Sequence, residues 1–496
     1  MRILRLSSCV GALFVSACDL APAYDPPQFI LPDSYQGSGP FRVAQPDQGS
    51  AQRGEWWRQF GDPELNRLED QLARANPTLD AAAQAYTQAR DLAAEAESGV
   101  YPQIGAGGQL SDNKQSSHRL FGGGGLSEES SNGILAAASW EPDFWDSIRN
   151  GARERKQLAQ AGAADLATAR LSLQAELASD YIALRGLDVT LDVLQDSIIS
   201  YRKAVDVAQL RSTGKISSGL DLARALNQLD SAEAQETDTA LQRDVMVHAV
   251  AVLVGAVPSS FAIAPTGTLS LTAAAIPVGT PSELLQRRPD IASAERQMAA
   301  ANASIGVSRA AFYPHITFSA TAGFEDSGFN LLSLPNSLWS TGAGAMIPLF
   351  DGGLRRAELQ RSWAQYAQTR DGYRATVLAA FQDVEDGLSQ TQRLATEAAQ
   401  QHEASAQAIQ ALSIATLLYE DGLDNYLSVS VAQVQALAAR VAEVQVRVRH
   451  LQAMVSLIRA FGGGWDVHAL PTEEETLPFD PLDDALALQE APAKAR

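Results

Sequence analysis

The chain has 496 residues, a formal net charge of −20 and 46% hydrophobic residues, with only two cysteines. That sign of charge excludes a nucleic-acid partner, which needs clustered Lys and Arg, and otherwise reads as a solvated acidic surface. Length alone would allow two or three ordinary domains, but an internal repeat argues for two halves of one body.

The first seventeen residues read as a targeting segment. Arg2 and Arg5 give a positive start, Cys9 to Ala17 is a short apolar core, and Val15-Ser16-Ala17-Cys18 matches a lipobox. Leu6-Ser7-Ser8-Cys9 is a similar string, but no apolar core precedes it. Cleavage before Cys18 leaves it as the sole cysteine, acylated, so no internal disulfide is expected. Asp19 follows directly, at the position where some bacteria read an inner-membrane retention signal. No later stretch has the ~18 uninterrupted apolar residues of a spanning helix, so any membrane crossing must use strands.

Residues 18–62 read as an extended, lipid-anchored arm, rich in Pro, Gly, Gln and Ser, that ends in Trp56-Trp57-Arg58-Gln59-Phe60-Gly61-Asp62-Pro63. A first helix–strand–helix unit is expected over 63–257, a linker over 258–281, a second unit over 282–465 and an acidic tail over 466–496. The repeat itself is plain. Asn76-Pro77 opens a helical stretch closed by Tyr101-Pro102, and Arg288-Pro289 opens one closed by Tyr313-Pro314, each shifted by 212 positions. Such duplication makes a fold pseudo-symmetric.

Strand patterning follows each short helix. In the first copy Ile104, Ala106, Gly108 and Leu110 share a face, and Ile134 to Trp140 returns. In the second, Ile316, Phe318, Ala320, Ala322 and Phe324 alternate with His315, Thr317, Ser319, Thr321 and Gly323, and the return strand is expected over Thr341 to Phe350. Ten alternating residues with an apolar outer face is the span of a transmembrane barrel strand. The apolar series is thus the lipid-facing set. A half-buried strand of a soluble sheet has the same period, but four strands among hundreds of helical residues have no other partners.

Two proline-free windows follow, Pro142 to Pro258 and Pro348 to Pro471, each broken by a glycine turn. The turns are Ser212-Thr213-Gly214-Lys215 and Glu420-Asp421-Gly422-Leu423. Each window reads as a helix of roughly sixty residues, ~90 Å long, a turn and a shorter returning helix. The fold class expected is therefore mainly α with a small transmembrane β part. Four strands cannot close in lipid. Three chains supply twelve, wide enough for water and small solutes, so a cyclic homotrimer is the simplest closure.

Gly54 to Leu65, Leu285-Gln286-Arg287-Arg288-Pro289-Asp290-Ile291 with Ala311-Phe312-Tyr313-Pro314, and Ile347-Pro348-Leu349-Phe350-Asp351-Gly352-Gly353 resemble the motifs of the outer-membrane factors. These are the TolC-like exit ducts, and the likeness is to the lipoprotein, NodT-type branch that works with RND pumps. It covers essentially the whole mature chain. The resemblance implies a trimeric α-barrel below a twelve-stranded β-barrel in the outer membrane. It also implies docking to a periplasmic adaptor and an inner-membrane RND pump, and passive export of small molecules. By the same resemblance Thr213, Gly214, Lys215, Gly422 and Leu423 are adaptor-contact tips, and Leu427 is an apolar constriction. Val431 stands where relatives often carry Asp, so closure by packing and dewetting replaces a carboxylate ring there. Asp421 and Asp424 either supply an acidic ring nearer the tip or are simply solvated. Asp221 lies seven residues after Gly214, where relatives commonly have six.

No catalytic constellation, cofactor motif or metal-ligand spacing is found. The six histidines are scattered, and the Gly122–Gly125 run lacks the Lys-Ser/Thr of a phosphate loop. Gly462-Gly463-Gly464 reads as a helix stop. Asp383 and Glu385 read as solvated helix-surface pairs. A type I secretion channel would share this architecture, and a lipid-anchored coiled-coil scaffold that does not span the membrane would share its helices.

Overall fold

A computed structural model describes residues 19–27, 29, 35, 54–114, 116, 128–215, 217–271 and 281–476. A 3-10 turn over Trp56–Phe60 leads into α1 (Pro63–Ala75) and α2 (Pro77–Ser98). Strands β1 (Gln103–Lys114) and β2 (Glu128–Trp140) follow, then α3 (Ser147–Thr213) and α4 (Gly219–Leu253). The second half runs α5 (Pro281–Arg287), α6 (Pro289–Ala310), β3 (His315–Asp326), β4 (Ser337–Met346), α7 (Leu354–Glu420), α8 (Tyr426–Ala460) and a last turn, α9 (Glu473–Thr476). Both α3 and α7 have 67 residues, and both α4 and α8 have 35. Each long helix therefore extends ~100 Å at ~1.5 Å per residue.

The two halves superpose in sequence with two shifts. From the short helices through the first strands the shift is 212; across both long helices it is 207. The same joint recurs in each half. The side chain of Asn76 donates to the Leu253 carbonyl (2.7 Å), and that of Arg288, its counterpart, reaches the Ala460 carbonyl (3.4 Å). Gly255 and Gly462 both have positive φ, +71° and +84°. A Cβ on Gly255 would lie 2.1 Å from the Ala75 carbonyl oxygen, and one on Gly462 would lie 1.8 Å from that of Arg287. Only glycine permits both that backbone and that approach. Asn76 also caps α2, accepting from Leu79 N at 2.8 Å. Arg288 spends its guanidinium on Asp290 (2.6 Å) and Asp383 (3.0 Å). Asp383 is exposed on the surface of α7, as expected, and also pairs with Arg288 at the start of α6.

The main core lies around these joints, where Trp56, Trp57, Phe60, Leu65, Tyr181 and Met454 are among the buried residues. There Asp188 holds Arg185 (2.8 Å) and Arg243 (2.6 Å), whose guanidinia also reach the carbonyls of Ala264 and Ile263. This buried triad fastens residues 263–266 to α3 and α4. The arm packs on one face of α6: Arg309 and Asn302 donate to the carbonyls of Leu20 and Pro22, and Tyr24 bonds Glu295. Those three α6 residues are seven apart and share a face. Gln297, Ala300 and Ser304 lie on the opposite flank, where they line a 740 Å³ concavity shared with Ala82, Tyr86 and Glu154. The arm therefore straps one face of this wall, and the concavity lies on the other.

The strands form one antiparallel sheet in the order β1-β2-β3-β4, with both outer edges open among the described residues. β4 corrects the expected Thr341 to Phe350: it begins at Ser337 and stops at Met346. Pro348 has no N–H for the ladder, and Leu349 and Phe350 run on 90% and 91% exposed.

Candidate membrane face, channel wall and tip gate

Residues paired directly across an antiparallel ladder project to the same face. The register places Ile104, Ala138, Ala320 and Thr341 in one row, and Ala106, Ala136, Ala322 and Trp339 in the next. Gly108, Ile134 and Phe324 form a third row with Ser337. The apolar series of the two halves thus fuse into one outer surface. Ile316, Phe318, Ala320 and Phe324 all belong to it. The other face is richer in small and polar residues, with Gln103, Gly105, Gly107, Ser139, Ser319, Thr321, Gly342 and Ser340 beside Ala137, Leu135 and Leu338. Phe318 lies near the helical end of the sheet, stacked on Trp140 with centroids 6.2 Å apart. Trp145 and Tyr313 stack just beyond at 4.6 Å. These four rings cluster at the helical end of the apolar face, and Ala320 lies nearer its middle.

At the far end of the helices, both turns have one backbone design. Gly214 N bonds Leu210 O and Asp421 N bonds Leu417 O; Lys215 N bonds Ser212 O and Gly422 N bonds Tyr419 O. Ser218 and Asn425 cap the returning helices through Leu220 N and Leu427 N. The shift of 207 makes Lys215, not Gly214, the counterpart of Gly422. Their φ values are +59° and +74°, while Gly214 sits at −74°. A lysine in the left-handed region costs about 1 kcal/mol against glycine. The glycine of the first turn therefore stands one position early, which accounts for the seven-residue spacing to Asp221.

The two tips are tied together. Arg211 lies 4.2 Å above the Tyr419 ring and donates to the Glu420 carbonyl at 3.1 Å. Tyr419 meets Tyr426 edge-on at 5.5 Å, within a small core that includes Ala208, Ala225 and Val429. Leu427 and Val431 fall outside that core, each 46% exposed, and Val434 continues their stripe at 49%. Spacings of four and three put these apolar side chains on one helical face that this chain leaves uncovered. Asp421 and Leu423 are exposed, Asp424 partly so, and Thr213, Gly214 and Lys215 sit at the outermost turn. Cys18 lies outside the described residues. Its neighbour Asp19 does not: its carboxylate accepts from Asn150 (3.0 Å) and Arg153 (2.9 Å), which keep it below the usual carboxylate range despite partial burial.

Among the described residues no group of His, Cys, Asp and Glu is placed to hold a metal ion, and no helix is long and apolar enough to cross a membrane. The sequence profile of the outer membrane efflux proteins matches residues 68–256 and 280–463. The chain belongs to that family.

Relatives among the outer membrane efflux proteins align over nearly its whole length. It is 30% identical to the pyoverdine export outer membrane protein OpmQ of Pseudomonas aeruginosa, across 94% of this chain and 98% of that one. It is 29% identical to the outer membrane protein OprJ of the same organism, across 93% and 96%. The solved outer-membrane channel OprN superposes with a TM-score of 0.83 at 25% identity, covering 90% of this chain and all of that one. Its architecture is therefore that of the trimeric channels, a mainly helical barrel with a small β-barrel, and its role is that of an outer-membrane efflux duct reaching into the periplasm. This is a channel family rather than an enzyme family. The joint roles of Gly255, Asn76 and Asp188 escaped the sequence, because they rest on contacts to Ala75, Leu253 and Arg243 that lie far along the chain.

Proposed function

We propose that three copies form a passive duct carrying small organic molecules to the outside, fed by a periplasmic adaptor and an inner-membrane RND pump. The observation that carries this is the four-stranded sheet with two open edges above a wall of long helices. An open edge is too costly in lipid, and copies of the same chain supply the missing strands. OpmQ is named for pyoverdine export, which supports a small organic cargo. Cys18 carries a lipid anchor at the membrane end of the wall, a reading supported by the docking of Asp19 beside the first turns of α3.

The tips at Thr213, Gly214 and Lys215 and at Gly422 and Leu423 meet the adaptor. Leu427 and Val431 close the entrance as apolar rings around the threefold axis, with Asp421 and Asp424 nearer the tip. Domain limits follow: signal 1–17, arm 18–62, repeats 63–257 and 282–465, linker 258–281 and tail 466–496. Deleting the protein and profiling sensitivity to antibiotics, dyes, bile salts and metals tests the cargo. Increased sensitivity to several organic compounds, restored by the intact chain, is expected. A strain unchanged across the whole panel contradicts small-molecule efflux.

A further inference from the structure

The loop between β3 and β4 is held from the apolar side of the sheet. Asn132 and Asp326 pair across the ladder in register with Leu110, on the apolar outer face. Both side chains grip the loop from that side. Asn132 Nδ2 donates to Gly328 O at 2.8 Å, and Asp326 accepts from Gly328 N at 3.0 Å and Asn330 N at 3.1 Å. The loop is thereby drawn outward, away from the lumen. Two further bonds shape its course: Asn336 N bonds Ser333 O at 2.9 Å, and Asn336 Nδ2 bonds Asn330 O at 2.9 Å.

Ser327 to Trp339 contains no charged residue. Phe329, Leu332 and Leu334 are 80%, 81% and 81% exposed. Trp339, 77% exposed, continues the same surface into the lipid-facing row with Ala322 and Ala136. Three large apolar side chains continuous with the apolar face of the sheet fit the boundary between acyl chains and headgroups.

We propose that this loop is a membrane-interface anchor, with Phe329, Leu332 and Leu334 seated in the outer leaflet. It fixes the height and tilt of the barrel and forms no roof over the pore. The inference rests on the channel reading, so its test records both. Leu332→Cys carries an environment-sensitive fluorophore in phosphatidylcholine proteoliposomes. The unsubstituted protein, labelled in parallel, gives the background. Lipids bearing a nitroxide high on the acyl chain should remove most of the emission, aqueous iodide little, and Asn132→Ala should shift quenching towards iodide. In Phe329→Ser/Leu332→Ser/Leu334→Ser, single-channel conductance should be unchanged. A probe quenched by iodide but not by nitroxide lipid overturns the anchor, as does a rise in conductance in the triple variant, which would mark a pore lid. Conducting vesicles with an aqueous probe sink this inference alone. An unsubstituted protein that never inserts sinks the channel reading as well.

Discussion

At single residues the structure spends polar chemistry where the helices meet. Glu69 is the extreme case: it is fully buried in α1, and neither carboxylate oxygen has a partner. Burial first, and then the neighbouring Asp70, push its pKa from 4.5 to about 9. The native protein keeps that proton while the unfolded chain loses it above pH 4.5, so stability falls as pH rises between those values. Glu69→Gln should remove this slope. Between pH 5 and pH 8 the variant gains on the parent by on the order of 3 kcal/mol, read as the difference in denaturation midpoints. Identical pH profiles for the two proteins would show that Glu69 ionises freely. Gly462→Ala faces both a positive φ and the Arg287 carbonyl, and the joint should loosen by about 3 kcal/mol or more. A thermal scan with an unaltered midpoint would contradict the close approach. Neither residue was legible as such. Glu69 falls between Leu68 and Leu72 and looks like any helix-surface carboxylate, and Gly462 reads only as a stop.

Among the elements, strands and helices differ in how well the sequence disclosed them. Both long helices were visible because no proline interrupts them, and β3 because its alternation is clean. The end of β4 was missed. Ile347 to Phe350 is apolar without alternating, so hydropathy extended the strand past the proline that ends it. The tip turns were found, but Gly214 drew attention from Lys215, whose left-handed backbone no residue type advertises. Val431 and Leu427 form a stripe that the chain itself leaves bare. If that stripe seals the entrance by dewetting, Val431→Ala or Leu427→Gly should raise single-channel conductance in planar bilayers severalfold. Unchanged conductance in both variants would move the constriction elsewhere.

For the whole molecule, exposed apolar residues remain on the two helices that flank the lower wall, including Leu241, Val245 and Val252 on α4 and Leu378, Ile414 and Leu417 on α7. Within one chain α4 packs on α3, α3 on α8 and α8 on α7, so these two helices are the free edges below, as β1 and β4 are above. Edges that are open in both layers, on the same two flanks, call for copies of the chain on each side. Repeat and strand number were readable beforehand; the matching of the two layers was not, because it depends on which helices neighbour in space. The mass of the complex extracted in mild detergent, taken with the conductance of the same preparation in liposomes, decides the matter. Threefold closure predicts close to three times the mass of one chain and an ion-conducting vesicle; a monomer that leaves vesicles watertight would contradict it.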